Sequence, residues 1–387
     1  MFIGVLGGYV SFVAKKISIY IHVPFCIKKC NYCSFYSIPY NTELMDKYTT
    51  YLKKEIELFS SEQNYIIQTI YFGGGTPSLL SFAHLFKIIT AIKNKFAISD
   101  NSEVTLEANP INVTTTTAKN WKICGINRIS LGVQSFDNSE LKNLSRLHSE
   151  NEIYNAVEII IKNCTENISL DLMYGIPFQT KETWRLSLQK TVNLKPKHIS
   201  SYCLSIEKGT YMADKQNEYA FPDENLQSEM YYQMIEYLTE NKFYQYEISN
   251  FSNTGFESKH NLAYWKGEEY IGFGPASHSF YSMKRVNNYP DINKYFECID
   301  NQELPIENSK EISIREFISD KIVLGLRLNN GISLSEFKEK YNFDIKKEYK
   351  QVVTKFLSSG YLTIQNDKLK FLSKALFVSN SILSEFV

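Results

Sequence analysis

Three cysteines fall within eight positions of one short run, IHVPFCIKKCNYCSFYS (residues 21–37): Cys26, Cys30 and Cys33, with the next cysteine only at Cys124. Thiolates are soft ligands that select zinc, Cu(I) or iron–sulfur clusters. Structural zinc closes its tetrahedron with a fourth Cys or His, commonly supplied by a second paired motif, and this chain has no second pair. His22 precedes Cys26 by four residues, but its alternation with Ile21 and Val23 leaves its face open, so zinc stays an alternative. Cluster ligation normally takes four cysteines. A four-iron cluster held by only three thiolates keeps one iron open, and an open site implies that something else binds there.

Such a loop needs a frame to hold it. From Ile17 to Ile206 short β-rich runs alternate with amphipathic helical stretches, the pattern of a parallel α/β sheet. The candidate strands are SIYIHV (18–23), TIYF (69–72), EVTLEA (103–108), NRISLGV (127–133), NISLDLMY (167–174) and HISSYCLS (198–205). Each is followed at once by a polar or glycine cluster: PFCIKKC, GGGTP, NP, QSFD, GIP and IEKGT. In α/β barrels the carboxyl ends of the strands deliver loop residues onto one face. Six strands predict an incomplete parallel (β/α)6 barrel with the cysteines, the glycines, Glu107, Gln134 and Asp171 converging at its mouth. Gly73, Gly74 and Gly75 let the backbone approach a ligand closely, with Thr76 and Pro77 fixing the turn. Glu107 and Asp171 can accept hydrogen bonds from ribose hydroxyls or an ammonium group, and Arg146 can pair with a carboxylate.

The expected organisation is an N-terminal extension over 1–16, the barrel over 17–250, an irregular connecting segment over 251–310 and a small C-terminal α+β module over 311–387. The extension is apolar but shorter than a spanning helix needs, with weak interfacial attachment to a membrane as the alternative. In the last module two helical runs precede YLTIQNDKLKFLS, a hairpin turning at Asn366 and Asp367, which suggests a winged-helix-like unit. Its lysines are interleaved with acids, and the whole chain balances 42 basic against 42 acidic residues. No field draws it to nucleic acid, so a lid or interaction module is the better expectation. The four scattered cysteines point to a reducing, cytoplasmic compartment.

CxxxCxxC after one strand and GGGTP after the next resemble the radical S-adenosylmethionine (SAM) superfamily. The resemblance implies a [4Fe–4S] cluster on Cys26, Cys30 and Cys33. It also implies that the amino and carboxylate groups of SAM chelate the fourth iron, and that an electron from a donor cleaves the sulfonium to a 5′-deoxyadenosyl radical. YIHVPFC, YFGGGTPS, LEANP, RISLGVQSFD, LSRLH, DLMYGIPFQT and YEISNFS extend it to the oxygen-independent coproporphyrinogen III oxidase-like group, most closely the HemW heme chaperones. Carried over by position, the SAM contacts are Tyr20, Tyr32, Gly74, Gly75, Thr76, Glu107, Gln134, Arg146 and Asp171.

Two departures steer the reading within that group. The decarboxylating members continue CxxxCxxCxC, whereas this chain has Phe35 at the last cysteine position. HNLAYW (260–265) is similar to the HNxxYW pattern of HemW proteins, and His260, Tyr264 and Trp265 offer an imidazole and aromatic faces to a flat iron porphyrin. His278 is a second candidate, while His148 and His198 are read as structural. The resemblance thus implies a protein that holds heme and passes it to acceptor proteins, some of them membrane-bound, at the inner face of the membrane. The alternative is a radical SAM coproporphyrinogen III dehydrogenase.

Overall fold

The structure is a computed structural model that describes residues 14–61 and 63–387. The N-terminal extension therefore lies mostly outside the described residues. Its last two members, Lys15 and Lys16, do not stand outside the fold as expected. They open the first strand in register with Tyr65 and Ile66, and Lys15 Nζ pairs with Glu269 at 2.6 Å.

The six β-rich runs become β1 (Lys15–Val23), β2 (Tyr65–Gly74), β3 (Ala97–Ala108), β4 (Arg128–Gln134), β5 (Ile168–Tyr174) and β6 (His198–Cys203). Each pairs in parallel with the next. The connections carry α1 (Thr42–Leu58), α2 (Phe82–Lys95), α3 (Thr115–Ile123), α4 (Asn138–Asn143), α5 (Glu150–Asn163) and α6 (Lys181–Asn193). Local sequence sets the helix starts: Asn41 accepts from the Leu44 amide, while Ser81, Thr114, Ser149 and Thr180 form capping boxes, each satisfying amides that the first turn leaves free. Ile17, Ile19, Ile21, Ile67, Phe72, Leu106, Ile129 and Leu170 are buried between the sheet and these helices. This is the expected incomplete (β/α)6 barrel.

The segment expected to be irregular instead extends the sheet. After α7 (Glu224–Glu240), β7 (Tyr244–Glu247) and β8 (Asn250–Ser252) run antiparallel beyond β6. The helix α8 (Lys259–Trp265) follows, and then β9 (Tyr270–Phe273) pairs in parallel with the free edge of β1. From there β10 (His278–Tyr281), β11 (Lys284–Asn288) and β12 (Ile306–Glu311) form a meander, with α9 (Ile292–Asp300) between the last two. The resulting order is 12-11-10-9-1-2-3-4-5-6-8-7. These added strands are short, and a Cβ on Gly272 would sit 2.2 Å from the His278 carbonyl oxygen. Tertiary pairing rather than a period-2 hydrophobic run defines them.

The C-terminal part holds α10 (Ile314–Leu326), β13 (Ile332–Ser333), α11 (Leu334–Tyr341), α12 (Lys350–Ser358) and the hairpin of β14 (Leu362–Gln365) with β15 (Lys368–Phe371). Asn366 and Asp367 form its turn with φ of 48° and 64°, the left-handed pair a two-residue hairpin requires. Among the described residues no helix is long and apolar enough to cross a membrane.

Candidate functional site

The loop after β1 is folded back on itself before it can present its thiols. Phe25–Cys26 pairs in parallel with Ile38–Pro39, the Tyr40 amide donates to the Cys26 carbonyl (2.9 Å) and the Cys33 amide to the Cys30 carbonyl (3.1 Å). Asn31 anchors the middle. Its backbone amide donates to Ser145 Oγ, its side-chain amide to the Asn143 carbonyl and Tyr219 hydroxyl, and its carbonyl accepts from the Met212 amide. His22 is excluded as a fourth ligand by its own bonds: Nε2 lies 3.0 Å from the Tyr36 carbonyl and Nδ1 3.2 Å from the Tyr20 hydroxyl. It clamps the loop's far end.

All three cysteines are free and partly accessible. Burial pushes the Cys26 and Cys33 thiols above their ordinary range, partly offset at Cys26 by the Thr76 hydroxyl, which donates to its sulfur at 3.5 Å. Arg146 Nη1 lies 3.7 Å from Cys30 Sγ. Among the described residues no three His, Cys, Asp or Glu side chains gather as they would around a single ion. A four-iron cluster takes each thiolate at a different iron, so its ligands need not converge on one point, and this donor set fits it better than mononuclear zinc. Thiols must lose protons to ligate metal, which here would be released on assembly.

Behind the loop lies a cavity of about 500 Å³, lined by Cys26, Cys30, Cys33, Tyr32, Gly74, Gly75, Thr76, Glu107, Gln134, Arg146 and Asp171. The structure thus brings together every residue expected to contact SAM except Tyr20, which stacks on Tyr71 one layer back. Gly75 is obligatory, because a Cβ there would sit 2.7 Å from the Phe25 carbonyl oxygen and 2.9 Å from its nitrogen. Gly74 has φ of 108°, open to glycine at no steric cost. Gln134, at the end of β4, holds φ of 68°, a strain of about 1–3 kcal/mol typical of ligand sites. It accepts from the Tyr202 hydroxyl at 2.9 Å.

Two carboxylates face this cavity. Glu107 accepts from the Tyr71 hydroxyl (2.9 Å) and the Gly74 amide (3.2 Å). Asp171 accepts from Ser130 and Ser169. Both line the cavity and are only partly accessible, and desolvation pushes Glu107 up to about 7 and Asp171 up to about 6. Arg146 donates to Asn109 Oδ1 and the Gly132 carbonyl, while its buried Nε has no partner. An unpaired guanidinium nitrogen and two costly carboxylates suit a ligand that carries both a carboxylate and a cationic group, as an amino acid sulfonium does.

HNLAYW does not present its imidazole here. His260 is buried, with Nδ1 2.6 Å from Thr69 Oγ1, Nε2 3.1 Å from the Tyr264 hydroxyl and its ring stacked on Tyr71. Both ring nitrogens are engaged and no face is open to a porphyrin iron. Trp265 lies under the Arg327 guanidinium, 4.6 Å away. His260, held by Tyr264, supports Tyr71, and through it Glu107, from behind, and of the motif only Asn261 lines the cavity. His278 is exposed on β10, away from the cavity. Sequence reasoning missed Tyr71, Asn109, Ser130, Ser169, Tyr202 and Asn261, all cavity-lining. The one legible signal was a serine placed inside each of the runs forming β4, β5 and β6, where a packed core would carry an apolar residue.

Residues 20–190 match a family profile described as Radical SAM superfamily, and 312–378 one described as HemN C-terminal domain. A relative named heme chaperone HemW, from Lactococcus lactis subsp. lactis (strain IL1403), is 32% identical over 375 residues, covering 96% of this chain and 98% of its own. The chain belongs to the HemW family of radical SAM proteins. The Bacillus subtilis (strain 168) protein of the same name is also 32% identical, over 96% of this chain and 99% of its own. Coproporphyrinogen III oxidase (HemN) from Escherichia coli, a solved structure, matches with a TM-score of 0.85 at 18% identity over 96% of this chain and 90% of that one. At that identity the likeness is one of fold. Membership of the superfamily implies a [4Fe–4S] cluster and SAM, and the thiol loop and cavity fit both.

Proposed function

We propose that this chain is a heme chaperone that binds a [4Fe–4S] cluster, SAM and heme and hands heme to acceptor proteins. The observation that carries this is the end-to-end similarity to proteins named heme chaperones, in a chain whose residue 35 is phenylalanine. Cys26, Cys30 and Cys33 hold the cluster. Tyr32, Gly74, Gly75, Thr76, Glu107, Gln134, Arg146 and Asp171 bind and orient SAM, with Tyr20 backing Tyr71. When bound, the cluster and SAM together supply one-electron chemistry. Around them, Arg146 neutralises thiolate and ligand carboxylate charge, Glu107 and Asp171 counter a cation, and the Asn31 anchor keeps the loop over the cavity. An electron donor for the cluster and membrane-bound heme acceptors met from the cytoplasmic side complete the reading.

Phe35 supports it directly. The ring is 65% exposed and lines the cavity mouth, where decarboxylating relatives of the resemblance place a thiol. An apolar ring at that point can meet a porphyrin but cannot supply a hydrogen atom or a ligand. The test is anaerobic reconstitution followed by hemin titration and transfer to an apo-acceptor, beside an assay for oxidative decarboxylation of coproporphyrinogen III. Stoichiometric heme binding without decarboxylation is expected. Protoporphyrinogen formation would establish the dehydrogenase instead.

A further inference from the structure

A second set of groups lies beside the cavity, against the cysteine loop. One surface hollow of about 340 Å³ is lined by Lys28, Leu141, Lys142, Leu147, His148 and Glu152. A smaller one of about 30 Å³ joins it and adds Ile27 and Ile111. Both share Lys28 and Arg146, which also line the SAM cavity. Ile27, Ile111 and Leu147 are exposed apolar side chains, contributed by the connections that follow β1, β3 and β4 and gathered at one place.

Three observations say what such a surface takes. Lys28 and Lys142 are exposed and make no ion pair among the described residues. Glu152, the acid in the hollow, has one carboxylate oxygen engaged by the Ser149 amide and hydroxyl, against which stand Lys28, Lys142 and Arg146. His148 is 5% exposed; its Nε2 bonds the Val133 carbonyl at 3.1 Å, and its Nδ1 has no hydrogen-bond partner among the described residues. An apolar ledge, two unpaired cations and one unengaged imidazole nitrogen match a flat apolar ring that bears carboxylates at its edge and a metal at its centre.

Resting on the chaperone reading above, we propose that heme docks in this hollow. Its ring lies on Ile27, Ile111 and Leu147, its propionates reach Lys28 and Lys142, and its iron faces His148. The site is open to solvent on one side, as delivery to an acceptor requires, and Arg146 and Cys30 stand between it and the SAM cavity.

Hemin titration of the anaerobically reconstituted full chain tests this, with iron and sulfide measured in every variant to show that the loop is intact. Leu147→Glu combined with Lys28→Glu should raise the hemin Kd by about tenfold or more. His148→Gln keeps an N–H for Val133 but no imidazole, and should change the absorption and paramagnetic resonance spectra of bound heme. His278→Gln should leave them as in wild type. Wild-type affinity and spectra in the first two variants, or a spectral change in His278→Gln, would overturn the site while leaving the chaperone reading intact. Failure of the wild-type protein to bind hemin would overturn both.

Discussion

Glu107→Gln separates the electrostatics of the cavity from its shape. In the folded chain the carboxyl is pushed from 4.5 up to about 7, first by desolvation and further by Asp171, against the relief given by Tyr71 and Gly74. A raised carboxyl pKa means that stability is fully present below the unfolded value near 4.5 and is lost as pH rises through about 7. At 1.36 kcal/mol per unit, the protein without its cofactors loses about 2–3 kcal/mol through this one group between pH 5 and pH 8. Glutamine has no charge to bury, although one of the two donors now facing Glu107 meets an amide N–H, at a cost of about 1 kcal/mol. Stripped of cofactors, the variant should therefore be slightly less stable than wild type at pH 5 and more stable by about 1–2 kcal/mol at pH 8. Urea unfolding at both pH values measures this, and comparing the two proteins cancels the other titrating groups. A stability gap that stays the same at pH 5 and pH 8 would refute the assignment of a strained carboxylate. The converse belongs to function: the variant should bind SAM more weakly at pH 8, because the ligand's cationic groups are what the ionised carboxylate awaits.

Replacing Cys26, Cys30 or Cys33 by Ala should remove bound iron and sulfide together with the visible absorbance, whereas Cys124→Ala, Cys164→Ala or Cys298→Ala should retain them; absorbance surviving any of the first three would break the cluster assignment. Gly75→Ala drives a Cβ into the Phe25 backbone, so calorimetry should show a loss of about 1–3 kcal/mol and no measurable SAM binding, and an unchanged SAM affinity would mean that the turn is not part of the site. His260→Ala empties a buried position between Thr69, Tyr71 and Tyr264 and should destabilise by about 3 kcal/mol. An unchanged unfolding midpoint would show that the imidazole is not part of the packed layer.

Much of the barrel and of its cysteine loop was legible because the signals are local. Thiols at fixed spacing, a glycine triplet and strand runs of four to eight residues mixing β-branched, aromatic and other apolar side chains act within a few positions, and parallel crossovers leave little freedom in how consecutive strands join. The edge strands β7 to β12 escaped this reading. Tyr270–Phe273 contains a glycine and becomes a strand only because β1 offers an unpaired edge.

HNLAYW shows the same limit from the side of function. A sequence records that an imidazole and two aromatic rings occur together, but not whether they face a cavity or the layer behind it. That is decided by Thr69 and Tyr71 of β2, nearly two hundred residues earlier in the chain, which take up one nitrogen and one face of His260. His148 is the reverse case, a lone histidine in LSRLH that acquires meaning from Ile27, Lys28 and Ile111 on other connections. What the sequence alone determined was the kind of chemistry at the loop, since ligand type and spacing are properties of the chain. Which imidazole has both nitrogens taken up and which keeps one unengaged, and what each carboxylate costs to ionise, only the tertiary structure decided, because burial and pairing are made by residues that the chain keeps far apart.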